Sequence, residues 1–399
     1  MNLSIFKIGE IKKLSSMDEL ESATIDWLRF PLALAVVFIH DFGTKDINLV
    51  FLHKYPTSLI SIYDFIRIVF SNIATHFAVP TFFLFSGYLF FYKMNVWNRN
   101  TYKKKIVKRF KSLLIPYVLW NCIYILYIQC LKLGGIILKG KPLSGIWEFV
   151  TQHHGLSMFW DSEVWGFNNT NLLGYSMVSS SPILIPLWFL RDLIVVVLFT
   201  PLIYYLIKKL DVFFIVILSL CYLSNIFIVI PGFSIDSFFW FSFGAYFSIN
   251  KKNMVEILYK YRFQAILISI LTLIPLVWFN GRIGDGVTTN RLAQILYPIY
   301  VTGAVVSSIS ISAALLKKQI VGVNQKLAKA TFFIFLSHIF ILNNVSLILN
   351  KVFIQANYVL RIVVYIVSPF LTIIICVALF ELLNKFTPKL LSFLVGSRK

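Results

Sequence analysis

The sequence carries little charge for its length. Only 14% of its 399 residues are Asp, Glu, Lys or Arg, against about 25% in a typical soluble domain. The apolar content is 58% and the mean hydropathy is +0.79, so the chain lacks the polar residues that a water-exposed surface requires. This composition excludes a soluble enzyme, and the 17% aromatic content excludes a disordered chain. The class that remains is an all-α polytopic integral membrane protein.

Cysteine is also scarce, and the common motifs of soluble catalysis are missing. The four cysteines lie inside apolar stretches without paired spacing, which predicts neither a disulfide nor a metal cluster. The sequence contains no G-x-S-x-G, P-loop or G-x-G-x-x-G pattern, so serine-hydrolase, nucleotide-hydrolysing and dinucleotide-binding functions lack support. Adjacent His153 and His154 have no third ligand at a useful spacing, and we expect no metal site.

Apolar runs recur along the chain and predict about ten transmembrane helices. The runs are 28–43, 64–91, 112–131, 183–206, 212–231, 236–249, 264–280, 294–315, 331–349 and 357–383. In the second run, Pro80 and the small pair Ser86 and Gly87 allow a kink and a close helix approach. We expect one membrane domain at residues 25–383, an N-terminal arm at 1–24 and a tail at 384–399.

The net charge of +20 follows these predicted spans. With the N-terminus inside, the inner segments hold 25 of the Lys and Arg residues and the outer segments hold eight. This bias obeys the positive-inside rule and predicts an N-in/C-in topology, with a cytoplasmic arm and tail. Because the charge sorts by membrane side, it indicates contact with the lipid bilayer and disfavours a nucleic-acid partner.

Arg29 and His40 lie in the first predicted span, where ionisable residues are costly and often functional. Eleven steps separate them, which is three helical turns plus about 20°, so their side chains share one helix face about 16 Å apart. Asp26 lies one turn before Arg29 and can pair with it. We interpret Arg29 as holding an anionic group at the cytoplasmic membrane interface. His40 is then a titratable group that lies deeper in the membrane. The alternative is that Arg29 reaches lipid headgroups and His40 bonds to a neighbouring helix.

The predicted inner loop after the second span is strongly basic. Its cationic residues are Lys93, Arg99, Lys103, Lys104, Lys105, Lys108, Arg109 and Lys111. Such a run either marks headgroup contact and topology or forms a cytoplasmic port for a multiply phosphorylated cofactor.

Three motifs follow one another along the chain. Arg29 and His40 are an arginine and a histidine with ten residues between them. Residues 80–88 read P-x-F-F-x-x-S-G-Y, and residues 109–117 read R-x-K-x-L-L-I-P-Y. These motifs and their order resemble those of the acyltransferase-3 family of bacterial integral membrane acyltransferases.

Two later segments, LWFLRDL at 187–193 and FFIFLSH at 332–338, extend the resemblance to about residues 22–383. One departure concerns the basic motif. Many family members carry two arginines three residues apart after the second span, whereas here Ser112 follows Arg109 at that distance. Lys108 and Lys111 are the basic residues that could compensate.

The resemblance implies transfer of an acyl group, usually acetyl, from cytoplasmic acyl-CoA to a hydroxyl of a glycan or a lipid-linked saccharide. It also implies a bacterial inner membrane location, with acetyl-CoA as a donor substrate and no permanently bound cofactor. His40 would take the proton of the acceptor hydroxyl or carry the acyl group itself. Arg29, Arg109 and Lys111 would hold the phosphates of coenzyme A, with Lys108 as a further candidate. The oligomeric state stays open.

Five other residues are weaker candidates. Trp188, Arg191 and Asp192, near the predicted outer start of the fourth span, either shape the acceptor site or form an interface pair. Ser86 is a candidate for substrate binding. By its family position His338 would line the cofactor tunnel, and its alternative role is a hydrogen bond to a neighbouring helix.

The long outer segment at 132–182 is rich in aromatic residues, including Trp147, Trp160 and Trp165. It is interpreted as a partly folded cap that stacks on sugar rings, although interfacial aromatic residues also serve as ordinary membrane anchors. The alternative function for the whole chain is a membrane transporter or exporter of a glycan or organic anion. Transporters commonly show two related halves, and no such repeat is evident here.

Overall fold

The computed structural model describes residues 16–41, 59–94, 96–138, 155–165, 179–228, 230–280, 287–353 and 358–397. The helices of the described chain are α1 (Met17–His40), α2 (Leu59–Arg67), α3 (Ala78–Phe91), α4 (Arg99–Arg109), α5 (Ile115–Leu138), α6 (Trp188–Leu198), α7 (Thr200–Leu210), α8 (Val212–Ser224), α9 (Ile235–Ile249), α10 (Met254–Lys260), α11 (Arg262–Asn280), α12 (Val287–Lys317), α13 (Gln325–Phe353), α14 (Tyr358–Phe386) and α15 (Pro388–Leu394). This confirms the predicted helical class.

Shorter elements connect some of these helices. Ile68–Ala74 and Phe110–Leu114 are π-helical, and Gly155–Phe159 and Ile185–Leu187 are 3₁₀ turns. Two three-residue strands, β1 (Glu163–Trp165) and β2 (Ser179–Ser181), pair antiparallel, with Val164 opposite Ser180.

Helix length limits how many segments can cross a bilayer. Six described segments are long and apolar enough: Met17–His40, Ile62–Phe91, Arg99–Gly135, Arg291–Lys317, Gln325–Phe353 and Val359–Phe386. Two bent pairs, α6 with α7 at 61° and α10 with α11 at 66°, raise the number to eight if each pair is one span. The described structure thus supports a multi-pass membrane protein with fewer spans than the ten predicted.

The shortfall comes from α8 and α9. They contain 13 and 15 residues and are about 20 and 22 Å long, whereas the hydrocarbon core is about 30 Å thick. Both fall on predicted spans, at 212–231 and 236–249, and neither is long enough to cross by itself.

The surface of the bundle is apolar around its circumference. Phe213, Leu220, Phe263 and Ile274 are exposed by 71%, 60%, 69% and 67%. Large apolar side chains exposed in this number would be unfavourable in water and suit contact with lipid chains.

Contacts between α1 and its neighbours define the two ends of the bundle. The buried Glu21 carboxylate, in the first turns of α1, accepts hydrogen bonds from the Tyr88 hydroxyl and from the Met254 backbone N–H, the latter at 2.7 Å. Tyr88 lies near the end of α3, which the basic helix α4 follows. We call this the basic end of the bundle. Helix α1 runs from it to His40 at the opposite end.

Helix α1 is central because it packs against α3, α10, α12, α13 and α14. Leu28, Leu32 and Val36, spaced one turn apart, are at most 3% exposed. Because neighbours surround α1, its polar residues must be satisfied inside the protein or face a cleft.

Helices α3 and α9 touch through glycine. A Cβ atom on Gly87 would lie 1.9 Å from the carbonyl oxygen of Phe241, and one on Gly244 would lie 1.9 Å from that of Leu84. Only glycine permits this separation. The close approach predicted for Ser86 and Gly87 is confirmed.

The end of the chain packs against α5. The indole N–H of Trp120 donates to the Leu394 carbonyl oxygen at 3.0 Å, and Leu391 and Val395 are buried. Helix α14 continues to Phe386 and α1 begins at Met17, so helical structure enters both segments that the sequence assigned to the tail and the arm.

Candidate functional site

The end of α1 brings His40 against His338 of α13. Their ring centroids are 5.2 Å apart, with the ring planes inclined by 41°. His338 is fully buried and His40 is half-buried. The sequence singled out both residues but did not predict that they meet.

Hydrogen bonding determines which nitrogen of His338 faces the site. Its Nδ1 atom lies 2.8 Å from the carbonyl oxygen of Phe335 and 3.1 Å from that of Ile334. A carbonyl oxygen only accepts, so in the neutral ring Nδ1 carries the proton and Nε2 keeps a lone pair. Nε2 is buried without a hydrogen-bond partner in the described part of the chain. It can accept a hydrogen bond from the His40 ring or from a hydroxyl group that enters the site.

Aromatic rings line one side of the histidine pair. Phe335 lies 6.3 Å from His338, Phe189 lies 5.5 Å from Phe335, and Phe83 lies 4.6 Å from Phe189, measured between centroids. Trp188, predicted to contact the acceptor, is half-buried at 6.3 Å from Phe83. These rings form a row across α13, α6 and α3, an apolar wall that begins beside His338 at Phe335.

His76, to which the sequence assigned no role, links the start of α3 to α12. Its Nε2 donates to the Ser71 carbonyl oxygen at 3.0 Å, which leaves Nδ1 to accept from the Tyr297 hydroxyl at 2.7 Å. Both ring nitrogens are therefore engaged within the protein, and this histidine holds structure together.

Arg29 lies at the basic end and pairs with Asp26 at 2.7 Å, which confirms the predicted pair. Its side chain is 34% exposed. Together with Ile25, Tyr88 and Tyr92 it lines an open cleft between α1 and α3. The arrangement leaves a guanidinium group accessible to an anion.

Of the predicted phosphate-binding residues in the basic motif, Arg109 lies beside the last turn of α3. The Arg109 guanidinium is half-buried and stands 5.8 Å from the centre of the Phe90 ring, while Lys108 and Lys111 are exposed. Phe90 neighbours Leu89, which borders the cleft of Arg29. The structure thus brings Arg29 and Arg109 to the same end of the same helix.

Arg191 and Asp192 form a buried ion pair, with Nε 2.9 Å from Oδ1 and 3% and 1% exposure. Arg191 also donates to the carbonyl oxygens of Trp160 at 2.6 Å and Ser180 at 2.9 Å, and Asp192 bonds to Ser234. The pair therefore ties α6 to the segment around Trp160, to β2 and to the start of α9. The polar atoms of the pair are engaged within the protein.

The described part of the predicted cap packs beside the start of α5. The Tyr117 hydroxyl donates to the Phe159 carbonyl oxygen, and the Leu184 N–H donates to Asn121 Oδ1 at 3.2 Å. The indole of Trp160 is 40% exposed. Trp147, His153 and His154 lie outside the described residues.

Ser86 is half-buried on α3. In the described ranges, no group of three or more His, Cys, Asp or Glu side chains is arranged to hold a metal ion.

A buried charged group next to His40 escaped the sequence analysis. Arg67 is 1% exposed, pairs with Asp64 at 3.2 Å and lies 4.9 Å from the centre of the Tyr63 ring. Asp41, directly after His40, is also buried. An aspartate and an arginine three residues apart at the start of the apolar run 64–91 were the available signal, because charge within a span requires a partner.

The helices, the lipid-facing surface and the histidine pair define a multi-pass membrane protein with a polar site inside its bundle. The acyltransferase-3 family model, described as an acyltransferase domain, matches residues 22–381. The chain belongs to this family, and it is an O-acyltransferase.

Among curated proteins, the succinoglycan biosynthesis protein ExoH of Rhizobium meliloti (strain 1021) is 24% identical over 392 residues. The alignment covers 96% of this chain and 94% of that protein. No solved structure matches the chain significantly.

Proposed function

We propose that the protein transfers an acyl group, specifically an acetyl group, from cytoplasmic acyl-CoA. The acceptor is a hydroxyl of a cell-envelope polysaccharide or of its lipid-linked precursor. The observation that carries this proposal is the contact of His40 with His338 at one end of α1, with Arg29 toward the basic end of the same helix. Similarity to a protein named for succinoglycan biosynthesis supports a saccharide acceptor.

The proposed location is a bacterial inner membrane with the basic end in the cytoplasm. The lysines and arginines of α4 then face the side on which acyl-CoA is found, as the positive-inside rule requires. The start of α1 and helix α15 then face the cytoplasm as well. If α8 and α9 form a short hairpin inside the membrane, this orientation accommodates all ten apolar segments of the sequence.

In this arrangement Arg29 and Arg109 hold the phosphate groups of the donor, with Lys108 and Lys111 as additional charges. Arginine suits such contacts because its planar guanidinium donates two parallel hydrogen bonds to phosphate. The 11 steps from Arg29 to His40 correspond to about 16 Å along α1. This distance separates the phosphate-binding end from the imidazoles. The part of the donor that links its phosphates to the thioester extends between them.

The proposed chemistry uses His40 as the general base. His40 takes the proton of the acceptor hydroxyl while the oxygen attacks the thioester carbonyl carbon, so a C–O bond forms and the C–S bond breaks. The proton then passes from His40 to the departing thiolate. The lone pair on His338 Nε2, which has no hydrogen-bond partner in the described part of the chain, is available to accept the N–H of His40 when the substrates bind, which leaves the other His40 nitrogen for the hydroxyl. The alternative route, in which His40 itself carries the acyl group, uses the same residues.

The acceptor enters from the side of the apolar wall in this proposal. Trp188 and Ser86 are the candidates to contact it, and the ion pair of Arg191 with Asp192 shapes this side by holding the segment around Trp160.

Mass spectrometry of surface glycans tests the proposal in cells. Cells that produce the protein should carry an ester group on a glycan that cells without it lack, and the mass increment identifies the acyl group. His40→Ala should remove that ester, whereas His153→Ala, at a histidine to which we assign no role, should retain it. Identical glycans with and without the protein would contradict the proposal.

A further inference from the structure

A buried serine, Ser71, contacts the last turn of α1. The Ser71 hydroxyl lies 2.6 Å from the Phe38 carbonyl oxygen, 3.1 Å from the Asp41 carbonyl oxygen and 2.8 Å from the Tyr365 hydroxyl. Ser71 is 1% exposed. The Phe38 carbonyl lies in the last turn of α1 and also accepts the Asp41 N–H at 3.2 Å, and Asp41 directly follows the helix. Ser71 thus adds a side-chain hydrogen bond at the C-terminal end of α1, where carbonyl groups run out of partners within the helix.

Hydrogen counting gives each of these contacts a direction. The serine hydroxyl has one proton, and carbonyl oxygens only accept, so it donates chiefly to the nearer carbonyl oxygen, that of Phe38 in α1. Its own oxygen then accepts the proton of Tyr365 in α14. The Ser71 backbone carbonyl oxygen accepts from His76, which is bonded to Tyr297 of α12. One residue thus joins the end of α1 to α14 and α12.

The local backbone explains why the Ser71 carbonyl is open to His76. Ser71 lies in the π-helical segment Ile68–Ala74, where the wider turn leaves carbonyl groups out of the regular helical pattern. The Ser71 carbonyl is the one that His76 reaches. In a regular α-helix it would be occupied by the N–H four residues further along.

These contacts lie on the side of α1 that faces away from the His40 imidazole. The Phe38 ring packs against Phe70, Tyr365 and Phe370, at centroid distances of 6.0, 6.1 and 5.9 Å. His40 follows Phe38 by two residues, which is about 200° around the helix. Its ring therefore projects toward His338 while the opposite side of the turn is anchored.

From this geometry we infer that Ser71 is a positioning residue for His40, acting through the last turn of α1 and assisted by the hydroxyl of Tyr365. The inference rests on the proposed function, in which His40 is the catalytic base. Without the Ser71 hydroxyl, the last turn loses its side-chain hydrogen bond and its link to α14, and the His40 ring loses its fixed distance to His338. Displacement of a catalytic group by about 1 Å reduces turnover by up to about 100-fold.

The test compares Ser71→Ala with Ser368→Ala in the purified full-length protein. Ser368 is also 1% exposed, but in the described part of the chain its hydroxyl bonds to the Val364 carbonyl oxygen of its own helix, at 2.7 Å, and makes no hydrogen bond to α1. We expect Ser71→Ala to lower kcat for acetyl transfer by about 10- to 100-fold, with the KM for acetyl-CoA within twofold of wild type. Tyr365→Phe should give a smaller loss of kcat, and Ser368→Ala should keep wild-type kcat.

A combination with His40→Ala separates positioning from general damage. If Ser71 acts through His40, adding Ser71→Ala to His40→Ala causes no further loss of residual transfer. An equal loss of kcat in Ser71→Ala and Ser368→Ala, or a full additional loss in the double variant, would overturn the inference. Wild-type activity of His40→Ala would instead overturn the proposed function, so the two failures are distinguishable.

Discussion

The contact of α3 with α9 offers a direct test of the packing that holds the site. In Gly87→Ala the new Cβ would lie 1.9 Å from the Phe241 carbonyl oxygen, whereas an ordinary contact begins at 3.4 Å. The two helices must therefore separate by about 1.5 Å, because the obstacle is backbone and cannot rotate away. Overpacking of this kind costs about 1–3 kcal/mol or more. We expect a fall of several degrees in the unfolding temperature, measured by intrinsic fluorescence in detergent.

Gly134→Ala is the matched control for that substitution. Gly134 also lies in a helix, α5, but a Cβ there meets nothing within 4 Å. Alanine is favoured over glycine in a helix by about 0.5–1 kcal/mol, so this variant should unfold at or slightly above the wild-type temperature. If Gly87→Ala behaved like Gly134→Ala, the close approach of α3 and α9 would be refuted.

Two further predictions concern charged residues. Arg191→Ala should destabilise the protein by about 3–5 kcal/mol, because it leaves the Asp192 carboxylate buried without its partner. An unchanged thermal unfolding curve would show that the ion pair does not tie α6 to the segment around Trp160. Neutralising Arg109 together with Lys111 should raise the KM for acyl-CoA at least tenfold while leaving the KM for the acceptor unchanged, as measured by initial rates in vesicles. An equal change in both constants would remove these residues from the donor site.

Local spacing accounts for the parts of the site that the sequence predicted. Asp26 and Arg29 are three residues apart, so any helix brings them into contact, and they pair at 2.7 Å. Gly87 stands in a stretch of bulky residues, where a small side chain indicates close helix approach. Both predictions depend on one helix at a time.

The meeting of His40 and His338 depends on how whole helices pack. The two residues lie on α1 and α13, almost 300 positions apart along the chain, and many side chains decide which faces of those helices meet. The intramembrane charge rule identifies each residue as unusual. It cannot say which of them share a site.

The lengths of α8 and α9 escaped prediction for a different reason. The apolar run 212–231 continues beyond the end of α8, so hydropathy alone suggests a full span. The helix nevertheless stops at Ser224, because Asn225 adopts a left-handed conformation, with φ of 55°, and terminates it. Hydropathy measures the affinity of side chains for lipid and is insensitive to such a backbone stop.

Transfer of label from donor to glycan tests the central claim most directly. Membrane vesicles with the basic end outward would be supplied with radiolabelled acetyl-CoA, and label would be followed into the saccharide fraction. The account predicts labelling with the wild type and with His153→Ala, and a loss of at least about 100-fold with His40→Ala, as expected for removal of a general base. Equal labelling by wild type and His40→Ala would contradict it.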